Sequence, residues 1–208
     1  RILNFNDLIN EHSIQIPIIQ RDYAQGRKNQ KEVRDNFLNA IFNCLKNNQP
    51  IKLDFIYGSV VDSKFQPLDG QQRLTTLFLL HWYGATKEEL LSNNNVSDLL
   101  QKFTYETRIT SREFCQVLVK ESIKVLNSEQ ILSDTIIDKN WFFLSWKNDP
   151  TIDSMLRSID AIHEKFFEID NLWEKLKSNL IQFHFVELEN MGLTDDLYIK
   201  MNARGKLL

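Results

Sequence analysis

The sequence predicts an α+β fold, and three observations carry the prediction. Strand-like alternation concentrates in residues 1–85, helical apolar spacing dominates residues 86–180, and strand and loop patterns return over 181–208. The expected organisation is therefore a strand-rich core at 1–85 and an inserted or appended helical subdomain at 86–180. The segment 181–208 then rejoins the core. With 208 residues, 42% of them hydrophobic, the chain can bury a sizeable core. No internal repeat or low-complexity linker interrupts it.

Each element has a local reason. Ile14 to Arg21 alternates apolar and polar residues and is rich in isoleucine, as strands are. From Arg27 to Asn47, Val33, Phe37, Leu38, Ile41 and Leu45 fall at helical spacing before Asn-Asn-Gln-Pro, a stop signal. Ile51 to Asp62 reads as a strand bent at Gly58. From Leu74 the chain is apolar on nearly every helical face, the mark of a buried helix. Further on, Thr86 with Glu89 forms a capping-box pattern, Ser111 precedes a helical run, and Asp149 precedes Pro150 at a first helical position. Helices are expected over 151–167 and 172–180, then a half-buried strand from Ile181 to Leu188. A last short helix follows Thr194 and ends at Gly205.

Composition narrows the function. Lys and Arg number 25 against 28 Asp and Glu, a net charge of −3, so any contact with DNA has to be local rather than spread over the surface. Cys44 and Cys115 lie far apart among apolar residues and read as reduced core thiols. Neither a signal-peptide core nor an apolar run of about 18 residues is present. A cytoplasmic protein with no membrane partner is expected. The chain opens without Met and stops inside a segment that reads as structured, so it is expected to be the N-terminal part of a longer protein. His12, His81, His163 and His184 lack metal-ligand spacing.

The segment Leu-Asp-Gly-Gln-Gln-Arg-Leu-Thr-Thr-Leu, residues 68–77, is the strongest candidate for chemistry. Asp69 and Gly70 form a turn between a strand-like segment and the buried helix, so Gln71, Gln72 and Arg73 fall at the helix N-terminus. Backbone N–H groups and the helix dipole favour anions there. Arg73 adds a planar fork suited to phosphate, the two glutamines add neutral donors, Thr75 and Thr76 add hydroxyls, and Asp69 can hold a divalent cation or orient a water. The plain alternative is a polar turn that only caps a helix.

Three further segments carry similar chemistry. Ile16 to Arg27 brings Gln20, Arg21, Asp22, Tyr23, Gln25 and Arg27 to a strand end, with Tyr23 an aromatic able to stack on a base. Asn202, Arg204 and Gly205 follow an apolar helix and read first as its C-terminal cap. Arg108 and Arg112 could reach an anion, although Glu106, Glu113 and Ser111 favour a salt-bridged helix start. The aromatic cluster Trp141, Phe142, Phe143 and Trp146 reads as core or helix interface.

Taken together and in order, "IPIIQRDY", "LDGQQRLTTL" and "MNARGKLL" resemble the signature elements of the GmrSD-type restriction endonuclease N-terminal domain family; "YETRITSREFC" resembles a segment from one branch of it. The resemblance spans nearly the whole chain. It implies a ParB/sulfiredoxin-like core, a small mixed sheet with helices, and a role in prokaryotic defence against phage or modified foreign DNA. It also implies binding and Mg²⁺-dependent hydrolysis of a nucleoside triphosphate. By match, Asp69, Gln71, Gln72 and Arg73 would be catalytic, with Asp69 on the metal. Gln20, Arg21, Tyr23, Gly70, Thr75, Asn202, Arg204 and Gly205 would bind nucleotide. Many members carry an aromatic, commonly Trp, two residues after that tyrosine, where this chain has Gln25. DNA cleavage would reside in a C-terminal nuclease domain or subunit, and DNA would be met through the full-length protein. Two alternatives stay open: a non-catalytic nucleotide- or DNA-binding regulatory module, and a ParB-like nuclease.

Overall fold

The computed structural model describes residues 1–17, 23 and 25–188. The chain is α+β. A mixed sheet is built from β1 (Ile2–Leu3), β2 (Ser13–Ile16), β3 (Ile51–Val61), β4 (Lys64–Asp69), β5 (Phe103–Tyr105) and β6 (Ile181–Glu187), in the order β1-β6-β3-β4-β2-β5. The pairs β1–β6 and β3–β4 are antiparallel, whereas β3–β6, β2–β4 and β2–β5 are parallel. β5 therefore extends the sheet from within the stretch read as helical, and β6 returns from the far end of the chain to lie beside β3. Asp62 and Ser63, both at positive φ, make the two-residue turn of the β3–β4 hairpin.

The described helices are α1 (Phe5–Glu11), α2 (Lys31–Asn47), α3 (Gln71–Lys87), α4 (Asn94–Leu100), α5 (Ile109–Lys120), α6 (Leu132–Ile137), α7 (Pro150–Phe166) and α8 (Leu172–Lys177). α3 is the central one: every residue from Leu74 to Thr86 is buried, as its all-round apolar sequence requires. α2 stops where expected, at Asn48, which adopts the left-handed conformation and returns its N–H to the Cys44 carbonyl. α7 begins as the sequence predicts, with the Asp149 carboxylate accepting from the Thr151 and Ile152 N–H groups and Pro150 in the first turn. Cys44 and Cys115 are free and buried. Phe142 and Trp146 pack edge-to-face with Phe114 in the core, while Phe143 stays exposed.

Two helix starts differ from expectation. Thr86 caps nothing; α3 continues through it to Lys87, and its hydroxyl donates to the Trp82 carbonyl at 2.8 Å. Burial on all sides carries the helix past a local start signal. Ser111 is likewise inside α5, which starts after Arg108, and its hydroxyl donates to Asp149 Oδ2 at 3.2 Å. The strand read over Ile14 to Arg21 is described as β2 up to Ile16; the rest of it, and the helix read after Thr194, lie outside the described residues.

Candidate functional site

The start of α3 is set by Gly70. Its φ of 88° is left-handed, and a Cβ there would come within 2.7 Å of Ile56 Cγ1, so glycine is needed both for the turn and for the close approach of β4 to β3. The turn points Gln71 back over the strand it leaves. Gln71 is buried, and its Nε2 donates to the Pro67 carbonyl at 2.6 Å and to that of Leu68 at 3.1 Å.

Arg73 turns the other way. Its Nη2 donates to the Phe55 carbonyl at 2.8 Å and to Asp69 Oδ2 at 2.9 Å, while Nη1 lies 3.7 Å from Asp54 Oδ2. The Phe55 carbonyl is available because β3 bulges. Leu53 pairs with Phe183 and Ile56 with Phe185, so Asp54 and Phe55 together stand opposite His184. β4 has already ended at Asp69, opposite Tyr57, and the guanidinium fills the place its next residues would take. The Asp69 carboxylate is half exposed and that of Asp54 almost wholly so. Tyr57 is close enough to register both charges: burial raises its pKa, Asp69 raises it further, and Arg73 works against them.

The opposite side of the same helix start is closed by Tyr23 and Gln25. Tyr23 is 2% exposed; its hydroxyl lies 2.8 Å from Thr76 Oγ1 and 2.9 Å from Ser158 Oγ on α7. Gln25 places its N–H 3.3 Å from Gln72 Oε1 and its Oε1 2.6 Å from the Thr76 hydroxyl. One consistent proton assignment runs Ser158 to Tyr23 to Thr76 to Gln25, each hydroxyl donating once. Gly26 makes the approach possible, since a Cβ there would lie 1.8 Å from the Ser154 carbonyl oxygen of α7. Thr75 is buried as well, its hydroxyl 3.2 Å from that of Tyr105. Burial raises the pKa of Tyr23 and raises that of Tyr105 well above the ordinary tyrosine range.

The structure thus brings Tyr23 and Gln25 of the first motif onto the helix that the Asp69–Arg73 motif opens. Gln20, Arg21, Asn202, Arg204 and Gly205 lie outside the described residues. Tyr23, read as a ring able to stack on a base, is instead fastened into the core by two buried hydroxyls. Arg108 and Arg112 have structural partners, the Thr151 hydroxyl at 3.1 Å and the Glu106 carbonyl at 3.3 Å. Sequence reasoning missed Asp54 and Phe55. The alternation hides them: apolar residues at odd positions Ile51, Leu53 and Phe55 read as an unbroken strand face, and the bulge shows only in the register with β6.

Among the described residues, no group of three or more His, Cys, Asp or Glu side chains is arranged to hold a metal ion, and no helix is long and apolar enough to cross a membrane. Neither the curated proteins nor the solved structures returned a match. Against known families, residues 5–208 match the one described as GmrSD restriction endonuclease, N-terminal domain. That match covers essentially the whole chain, including the motif at the start of α3, and the chain belongs to the GmrSD restriction endonuclease N-terminal domain family.

Proposed function

We propose that this domain binds a nucleoside triphosphate at the start of α3 and hydrolyses it with Mg²⁺, as the nucleotide-dependent half of a restriction system acting on foreign DNA. One observation carries the reading. Two motifs some fifty residues apart, Tyr23 with Gln25 and Gln71 to Arg73, are laced to one helix start, where the Asp69 carboxylate paired with Arg73 is half exposed.

The division of labour follows from burial. Tyr23, Thr75, Thr76 and Gln71 are enclosed and bonded, so they position the helix start and do not touch phosphate. Arg73 presents a planar donor fork beside the first-turn N–H groups, the chemistry that stabilises charge on a transferring phosphoryl group. Asp69 and Asp54, both ion-paired with Arg73 and both open to solvent, would be the carboxylates to hold a hard cation. When bound, Mg²⁺ would neutralise the phosphate charge. Gln72, tied through Gln25 to the first motif, holds the two motifs in register.

Isothermal titration of the chain with each NTP plus Mg²⁺ tests the reading, beside Arg73→Ala and Asp69→Ala variants checked for folding by circular dichroism. Micromolar binding that Arg73→Ala abolishes is expected, with Mg²⁺-dependent phosphate release as the next assay. A folded wild-type chain that binds no nucleotide would overturn the proposal. Binding without turnover would leave a regulatory module.

A further inference from the structure

The bulge that frees the Phe55 carbonyl for Arg73 also aims the Phe55 ring. Leu53, Ile56, Phe183 and Phe185 point into the helical layer, which leaves His184 on the other face of the sheet. The Phe55 ring stacks on His184 there, with centroids 5.0 Å apart and planes within 26°. Phe55 is 53% exposed although β3 is an inner strand, flanked by β6 and β4. Val186, opposite Tyr57 on β6, is also open to solvent. Phe55 thus offers a large aromatic ring to solvent from an inner strand.

This surface adjoins the anion site directly. The residue whose ring is exposed is the one whose carbonyl receives Arg73, and Tyr57, two residues on, senses both Asp69 and Arg73. A ligand with its charged end at Arg73 and a flat end reaching across β3 on the face away from the helices would meet the Phe55–His184 pair.

We propose that Phe55 and His184 form the base-stacking platform of this domain, holding the nucleobase of a nucleoside triphosphate whose phosphates lie at Arg73. This rests on the nucleotide-binding reading above. Every nucleobase has a π face, so stacking here contributes affinity without choosing strongly among bases, and the larger purines gain most.

The test compares ATP, GTP and inorganic tripolyphosphate, each with Mg²⁺, by isothermal titration on wild type, Phe55→Ala, Phe55→Trp and His184→Ala. An exposed ring can be removed without unfolding the domain, and circular dichroism checks this. Phe55→Ala is expected to weaken ATP and GTP by about ten-fold, in line with the loss of one stacked base. Tripolyphosphate binding stays unchanged and Phe55→Trp restores the purine nucleotides. If Phe55→Ala and His184→Ala leave nucleotide affinity unaltered, or weaken tripolyphosphate equally, the platform is wrong while the phosphate site stands. If neither nucleotide nor tripolyphosphate binds the folded wild type, both proposals fall.

Discussion

The Arg73 side of the first turn of α3 and the three turns that follow it belong to one helix but handle polar groups in opposite ways. In the first turn Arg73 is paired with carboxylates that reach water. Beyond it, Thr75, Thr76, His81 and Thr86 are buried; the three hydroxyls are bonded inside the protein to Tyr105, to Tyr23 and Gln25, and to the Trp82 carbonyl, and His81 Nδ1 to the Leu77 carbonyl. The difference teaches where to look for function. A polar group closed off from water is occupied in holding the fold, because leaving it unpaired would cost about 1–3 kcal/mol; a charged group that keeps one side in solvent can exchange that side for a ligand.

The largest effect expected on the buried stretch comes from pH. His81 is 2% exposed, in ring contact with Phe5 and Trp173, and its pKa is lowered from 6.5 to about 4, chiefly by burial and against the Leu77 carbonyl, which favours the charged form. Above pH 6.5 the folded and unfolded chains are both neutral there, and stability is full. As pH falls from 6.5 towards 4 the unfolded chain takes up the proton and the folded one does not, so stability falls by about 3 kcal/mol before levelling off. Burial lowers the pKa of His163 too, which adds loss in the same direction. Urea melts at pH 7 and pH 4 check this: the gap between wild type and His81→Gln should close by about 3 kcal/mol. A gap independent of pH would mean that water reaches the ring.

A smaller loss is expected at the joint between the first motif and α3. Tyr23→Phe keeps the ring and removes the hydroxyl that links Thr76 to Ser158, which strands polar atoms in the core and should cost about 1–3 kcal/mol. If Tyr23 acts only as a fastener, nucleotide affinity measured well below the melting temperature should change by less than about three-fold. A much larger fall in affinity, with stability unchanged, would move Tyr23 from the buried class to the exposed one.

Much of this contrast was legible beforehand, and the part that was not has a physical cause. The helix-opening Asp-Gly turn, the all-apolar run after it and the Asp149–Pro150 cap are local signals, and each is found where the sequence put it. Thr86 and Ser111 misled because a capping residue looks the same whether it opens a helix or is buried inside one. The Tyr23–Ser158 contact joins residues 135 positions apart and has no local trace. The two-residue strand β1 and the three-residue β5 are too short for periodicity, and depend on β6 and β2 for their hydrogen bonds. Asp54 and Phe55 belong with these: Ile51, Leu53 and Phe55 keep the alternation of an unbroken strand, and only the register with β6 shows the bulge that feeds Arg73.

The smallest stability effect is expected at Asp69, and it separates the two classes most sharply. Asp69→Asn keeps the side chain's shape and removes its charge from a half-exposed i,i+4 pair with Arg73, so the stability cost should stay under about 1 kcal/mol and shrink further in high salt. Arg73 keeps the Phe55 carbonyl and the Asp54 charge beside it, which limits the loss. Nucleotide binding should respond differently. If Asp69 helps hold the cation, the substitution weakens NTP binding in Mg²⁺ by about ten-fold or more and has little effect in its absence, where removing a negative charge near phosphate even favours binding. Equal affinities for the two proteins in Mg²⁺ would reduce Asp69 to a tether for Arg73. A stability loss above about 2 kcal/mol, beyond what an exposed pair supplies, would show that the first turn of α3 holds the fold together no less than the turns behind it.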